Sequence, residues 1–196
     1  MLAVVPLMGL GCATGATTSL TSEAGTGELD GRMTTLVYAS SDKNTADIYL
    51  SDLPRSALEP DADLSSVSGQ FVHLHVFITP EAGSTPIDVG ACSVVFRTIV
   101  VARGQIGMYG GGAFLNPRSA PGGDTFAGSI SRGTGRLITS TPGFVDKLGA
   151  SVFGAKFRVP RNEKAAAECA KRLQTMLELM PPPPAPKARP PGRNAE

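Results

Sequence analysis

The 196-residue chain lacks tryptophan and contains only two histidines and three cysteines. Few side chains can therefore exchange a proton near neutral pH, which leaves little material for acid–base catalysis. The formal net charge is +1, whereas a nucleic-acid-binding domain would be expected to carry a clustered basic face. We therefore expect no nucleic-acid partner. The sequence also has no apolar run of the roughly 18 residues that a membrane-spanning helix needs.

Glycine and proline are abundant, with 23 and 16 residues. Together they make up about a fifth of the chain, and this content favours a turn-rich β protein over a helical bundle. Hydrophobic residues account for 41% of the sequence, which is enough apolar material to build a core. A chain of this length corresponds to one domain with room for tails at either end.

The N-terminus carries an apolar run from Leu2 to Leu10, which fits a signal segment and is too short for a membrane anchor. It ends in Gly9-Leu10-Gly11-Cys12. This ending resembles the lipobox of bacterial lipoproteins, in which a Cys after a small residue becomes the lipidated N-terminus. The family usually has Leu where this chain has Gly9, and the usual positive segment is missing, so we expect the translation start to lie upstream. A plain signal peptide and a chance Cys are the alternatives.

The resemblance implies that residues 1–12 are a lipoprotein-type signal segment and that Cys12 is the lipidation site. The protein would then lie in the bacterial cell envelope, anchored to a membrane through the lipid and facing the periplasm or the exterior. Residues 13–31 are rich in Thr, Ser, Gly and Ala, a composition typical of a flexible tether between the anchor and a folded domain.

Two cysteines remain if Cys12 is acylated. Cys92 opens a predicted strand, and Cys169 lies on the apolar stripe of a predicted helix. Export would place them in an oxidising compartment, where a disulfide between them could persist. The alternative is two separate buried thiols, because free cysteine packs well as a small hydrophobic residue.

The middle of the chain has the patterns of β-strands. The clearest one is 70–79, where Val72 and Leu74 point to one face and His73 and His75 to the other. Arg132-Gly133-Thr134 suits a hairpin turn. The pattern predicts strands over 34–40, 46–51, 70–79, 92–102, 105–109, 126–131, 135–140 and 150–159.

A helix follows the predicted strands. Asn162 is a suitable N-cap, and apolar residues recur at helical spacing up to Met180, so a helix is predicted over about 162–179. Residues 181–196 contain seven prolines and are expected to form an extended, disordered tail. The β-rich domain with its C-terminal helix is therefore assigned to 32–180.

His73-Leu74-His75 is the strongest candidate for a functional site in the sequence. Alternate residues of a strand share a face, so both imidazoles can reach one divalent transition metal ion. This His-x-His pattern is similar to the metal-binding pairs of cupins and some zinc enzymes, although its flanking spacing departs from that of cupins. Glu81 and Asp88 lie downstream and could add carboxylate ligands. The alternative is a pair of structural histidines between Phe71 and Phe77.

These patterns predict a mainly β fold, an antiparallel β-sandwich or partly open barrel of about seven or eight strands, with the helix closing an open edge or end. The leading functional hypothesis is a non-catalytic binding or structural role without a cofactor. Its partners would be the membrane and an envelope protein or polymer. A small metal-dependent enzyme using His73 and His75 is the alternative. A carrier would instead need a barrel cavity lined by residues such as Phe71, Phe77 and Phe96.

Overall fold

The computed structural model describes residues 14–77 and 93–182. These residues form strands, one short 3-10 turn and one α-helix. The elements in chain order are β1 (Gly15–Ser22), β2 (Glu28–Met33), β3 (Thr35–Ser40), β4 (Thr45–Ser51), the 3-10 turn (Arg55–Leu58), β5 (Ser68–Phe77), β6 (Val94–Ala102), β7 (Gln105–Ala113), β8 (Asn116–Pro117), β9 (Thr125–Ser140), β10 (Ser151–Pro160) and α1 (Glu163–Glu178).

The strands form one antiparallel sheet that curls into a nearly closed barrel. Their order is β2-β1-β10-β9-β7-β6-β5-β4-β3, with the short β8 paired to β9. The two terminal strands of this order are separated in the chain only by Thr34, whose N–H donates to the Ser51 carbonyl at 2.8 Å. β2 and β3 therefore act as two halves of one bent strand, and the predicted mainly β fold with a partly open barrel is confirmed.

Side chains that point inward fill the barrel. Phe96 and Phe153 stack at its centre with ring centroids 4.3 Å apart, and both are fully buried. Tyr38, Leu74 and Tyr109 belong to the same buried cluster. Phe71, by contrast, packs in a second cluster outside the barrel, and Phe77 shares its strand face. The three phenylalanines suggested for a carrier cavity therefore do not line one space.

Helix α1 lies across the outer wall of the barrel. Asn162 caps it by accepting a hydrogen bond from the Ala165 N–H at 3.0 Å, as the sequence predicted. Its apolar stripe belongs to a cluster with outward-facing residues of β3 to β7. The helix contacts β3, the last strand of the sheet order, and β4, so it covers the wall at that edge of the sheet. The buried members of this outer cluster are Val37, Tyr49, Leu53, Ala57, Leu64, Phe71, Ile99, Val101, Ile106, Met108, Ala166, Cys169, Leu173, Met176 and Met180.

Arg172 ties the helix to the connection between β4 and β5. Its guanidinium is buried and donates to the carbonyl oxygens of Ala57 at 2.9 Å, Pro60 at 2.6 Å and Ala62 at 3.1 Å. A buried guanidinium needs several acceptors to offset its lost hydration. The connection and the helix therefore form one outer layer.

The flexible tether predicted over 13–31 is wrong for the residues described. β1 pairs along its whole length with β10, from Gly15 opposite Arg158 to Ser22 opposite Ser151, and β2 pairs with β1. The sequence looked like a linker because β1 buries small or polar inward residues around Leu20. Backbone pairing on both sides stabilises such a strand without a strong apolar pattern.

The hairpin turn predicted at 132–134 is also wrong, because β9 continues from Thr125 to Ser140. A Cβ on Gly133 would lie 3.1 Å from the Phe96 ring, and one on Gly135 only 2.6 Å from it. These glycines make room for the central aromatic stack. They mark a close approach inside a strand, which sequence alone does not distinguish from a turn.

Several predicted features lie outside the described residues: Cys12, Glu81, Asp88, Cys92 and most of the tail over 181–196. Cys169 is a buried thiol on α1, and its pairing with Cys92 stays a prediction. Helix α1 agrees with the predicted range. The described helical segments include none of the length and apolarity required for a bilayer span.

Candidate functional site

The two histidines meet a carboxylate that sequence patterns alone did not single out. β4 and β5 pair antiparallel, with Asp47 opposite His75 and Tyr49 opposite His73. Directly paired residues share a face of the sheet, so all four side chains point outward. Asp47 Oδ1 lies 2.8 Å from His73 Nε2 and 2.9 Å from His75 Nδ1. One carboxylate oxygen therefore bridges both imidazoles.

The site lies where the outer layer stops covering the barrel. Along β5 the outward residues pass from the fully buried Phe71 through His73, with 9% of its side chain exposed, to His75, with 44%. The His73 ring stacks on Tyr49 with centroids 4.8 Å apart and planes 13° from parallel. The Asp47 side chain is 38% exposed. His73 is therefore held rigidly, while the other two groups reach water.

The charges at the site follow from these contacts. The hydrogen bond from His73 lowers the pKa of Asp47, the bond from His75 adds to the effect, and partial burial opposes it. Burial raises the pKa of the Tyr49 hydroxyl to about 12, and the nearby Asp47 charge contributes to this rise. The site thus presents an ionised carboxylate against a neutral phenol at neutral pH.

The three groups satisfy the first requirement of a metal site. One ligand atom from each of Asp47, His73 and His75 lies within 4.8 Å of the other two. A tetrahedral zinc ion with bonds of about 2.0 Å sets its ligand atoms about 3.3 Å apart, against the hydrogen-bonded distances of 2.8 and 2.9 Å. Metal binding would therefore replace these hydrogen bonds and move the partly exposed Asp47 carboxylate outward.

Within the described parts of the chain, the second ring nitrogen of His73 lacks the hydrogen bond that usually supports a metal-ligating histidine. Its Nδ1 is buried and has no hydrogen-bond partner among the described residues. Metal-ligating histidines usually donate from their other ring nitrogen, and losing such support typically weakens binding by about 10–100-fold. Here the stacking against Tyr49 orients the ring instead, so the arrangement is suited to moderate affinity.

The histidine pair was identified from sequence, whereas its carboxylate was missed. The structure brings His73 and His75 together; the predicted ligands Glu81 and Asp88 lie outside the described residues. Asp47 belongs to the neighbouring strand, and its position opposite His75 depends on the register of β4 and β5. The available signal was an acidic residue inside the short apolar strand Thr45–Ser51.

The site lies on the convex wall of the barrel. Three concave regions of about 670, 410 and 390 Å³ are lined by other residues. Comparison of the chain with protein families, curated proteins and solved structures gave no match. The functional argument therefore depends on the chemistry of these residues.

Proposed function

We propose that this chain is an exported, lipid-anchored protein of the bacterial cell envelope with a non-catalytic binding role, and that it binds a divalent transition metal ion. The observation that carries the metal assignment is the contact of Asp47 Oδ1 with both His73 Nε2 and His75 Nδ1. Two imidazole nitrogens and one carboxylate oxygen form a mixed donor set, which suits zinc and related ions better than magnesium or calcium.

Binding is favoured over catalysis by the position of the site. A catalytic metal needs an open coordination position inside a pocket that holds the substrate. Asp47, His73 and His75 line none of the three concave regions described above, and the barrel interior is filled by side chains such as Phe96 and Phe153. The alternative of a metal-dependent enzyme would need a substrate pocket at these ligands, and none of the three regions provides it.

The envelope assignment depends on the lipobox-like Gly9-Leu10-Gly11-Cys12 segment. β1 begins at Gly15, so a lipid on Cys12 would hold the barrel close to the membrane surface. The partners would be that membrane and an envelope protein or polymer. Intact-mass measurement on protein extracted from its native membrane tests the anchor: we expect acyl mass on a chain that begins at Cys12, and an unmodified Cys12 would refute it.

The chain contains only two histidines, so histidine NMR tests the metal site directly. We expect one equivalent of Zn²⁺ to shift both imidazoles together in 15N-resolved spectra of the full chain. The metal-bound nitrogens should be Nε2 of His73 and Nδ1 of His75, since these atoms face Asp47. Other nitrogens, or binding that leaves both rings unchanged, would contradict the assignment.

Asp47→Asn tests the third ligand. This change removes the charged oxygen and keeps the shape of the side chain, so we expect Zn²⁺ affinity to fall at least about tenfold in calorimetric titration. Asp30→Asn is the matched control because it removes one exposed carboxylate from β2, which contributes no ligand to the site. Equal affinity of the two variants would refute a role for Asp47.

A further inference from the structure

A second surface lies around the start of β1, on strands that do not carry the three candidate ligands. β10 and β5 are separated by three strands in the sheet order through β9, β7 and β6. On the outer face of β1, β9 and β10 lies a groove of about 390 Å³. Four of its lining residues carry positive charge and none carries negative charge; the cations are Arg32, Arg118, Lys156 and Arg158.

Strand pairing arranges these cations as two rows. In the first row Arg32 and Lys156 flank Thr17 from the two strands beside β1. In the second, Ala127 lies opposite Arg158, and the Ala127 carbonyl accepts the Arg118 N–H at 2.8 Å. Neighbouring strands are about 4.8 Å apart, so the members of each row are separated by about 10 Å at the backbone.

The four cations have no acidic partner to neutralise them among the described residues. The ion pairs within the described parts of the chain join His73 and His75 to Asp47, and Arg161 to Glu163. Arg32, Arg118 and Lys156 are exposed, and Arg158 is half-buried. Asp30 lies two residues before Arg32 and lines the adjacent groove, so the positive charge is greatest toward the start of β1.

We propose that this groove docks on the anionic phosphate headgroups of the membrane to which the protein is anchored. The inference rests on the proposed lipidation of Cys12, which lies three residues before Gly15. An extended chain spans at most about 3.6 Å per residue, so a lipid on Cys12 holds the groove within about 11 Å of its attachment. Arginine guanidinium groups match phosphate oxygens in geometry and charge.

Docking at this groove would fix how the barrel sits on the membrane. A lipid on a short chain holds the barrel near the surface but leaves it free to turn. Four cations facing the bilayer would select one orientation, since each contributes about 1 kcal/mol near an anionic surface. The site formed by Asp47, His73 and His75 does not line this groove, so docking would fix the position of the site relative to the bilayer without occupying its ligand residues on β4 and β5.

Vesicle binding by the non-acylated full chain tests the groove separately from the anchor. Cys12→Ser protein would be sedimented with vesicles of phosphatidylcholine alone and with vesicles that also contain phosphatidylglycerol. We expect binding only to the anionic vesicles. Replacing Arg32, Lys156 and Arg158 together by Gln should weaken it about 100-fold, or about fivefold per cation. The control replaces Arg55, Lys164 and Lys171, which are exposed and do not line the groove, and should leave binding unchanged.

Each outcome separates the two proposals. Three results would overturn the docking proposal: equal binding to neutral and anionic vesicles, no binding to either, or equal loss of binding in the test and control variants. Binding to anionic vesicles that depends on the groove would support it even where native Cys12 proves unmodified, in which case the anchor alone fails. Displacement by millimolar inorganic phosphate would indicate a site for free phosphate and would also overturn membrane docking.

Discussion

The outer wall of this barrel has two halves that differ in chemistry although they enclose the same interior. On β3 to β7 the outward side chains include Tyr49, Phe71 and Ile99, and an outer layer buries them. On β1 and β10 the outward side chains include Thr17 and Lys156, which are exposed to solvent. Inward residues from both halves meet in one buried cluster. Interior packing thus defines the barrel, and the outward residues decide which wall receives a further layer.

This difference is already present along the strands. β6 reads VVFRTIVVA and is apolar on both faces through much of its length, which is typical of a strand covered on both sides. β10 alternates buried residues with Lys156 and Arg158, as expected for a strand with one wet face. The proposed metal ligands on β4 and β5 lie where the covered part of the outer wall meets the solvent-exposed part.

The largest expected effect compares outward residues from the two halves. Phe71→Ala removes a fully buried ring from beneath the outer layer, so we expect the free energy of unfolding to fall by about 3–5 kcal/mol. Thr17→Ala removes an exposed outward side chain from β1 and should cost under about 1 kcal/mol. Urea denaturation of both variants measures the difference, and equal losses would show that the two halves do not differ energetically.

Arg172→Met tests what holds the outer layer in place. The variant keeps the apolar stem but removes the donors to the carbonyls of Ala57, Pro60 and Ala62. We expect a loss of about 2–4 kcal/mol, because one buried and two partly buried hydrogen bonds lose their charged donor. Limited proteolysis should cut the connection between β4 and β5 faster than in the parent protein.

The control for this prediction is Arg158→Met, which removes an equal charge from the wall without an outer layer. Cys169 adds a second measurement, because burial raises its pKa to about 11 and protects it from thiol reagents. Its labelling should accelerate in Arg172→Met and stay slow in the control. Unchanged proteolysis and labelling in Arg172→Met would contradict the role assigned to this arginine.

The smallest expected effect is the contribution of Asp47 to stability, at the site where the two halves of the outer wall meet. The pKa of Asp47 is lowered from 3.8 by the hydrogen bonds from His73 and His75, so its stabilising contribution is present above pH 3.8 and is lost as the pH falls through the lower folded value. The side chain is 38% exposed, which limits this contribution to under about 1 kcal/mol.

Asp47→Asn therefore should lower stability at pH 6, and this deficit should shrink as the pH falls below 3.8. Urea denaturation across this range checks the prediction, with Asp30→Asn controlling for the loss of one negative charge. A deficit that stays constant with pH would mean that the carboxylate charge contributes nothing.

Sequence patterns predicted those parts of the fold that local chemistry determines. Alternation along β5 and the Asn162 cap of α1 are local signals, and the structure confirms both. β1 and the continuous β9 were missed for a different reason. β1 is stabilised by β10, and Gly133 makes room for Phe96. Partners distant in sequence determine both features, so composition alone suggested a tether and a turn.

The candidate site divides in the same way. Alternation within one strand is enough to place His73 and His75 on a common face. Asp47 joins them from another strand, and its distance from them depends on a register that a single sequence does not specify. Whether the site lies on the outer or inner face of the sheet, and whether the outer layer covers it, likewise depends on tertiary packing.

The pairing of β1 with β10 also constrains the order of folding. Gly15 lies opposite Arg158, so the first strand of the described fold has to wait for the last strand before it gains this neighbour. The strands from β3 to β7 follow one another as adjacent antiparallel neighbours and can pair at short sequence separation. The hairpin of β1 with β2 and the middle strands can therefore pair before β10 joins β1, and closure of the barrel would be a late, long-range and comparatively slow event.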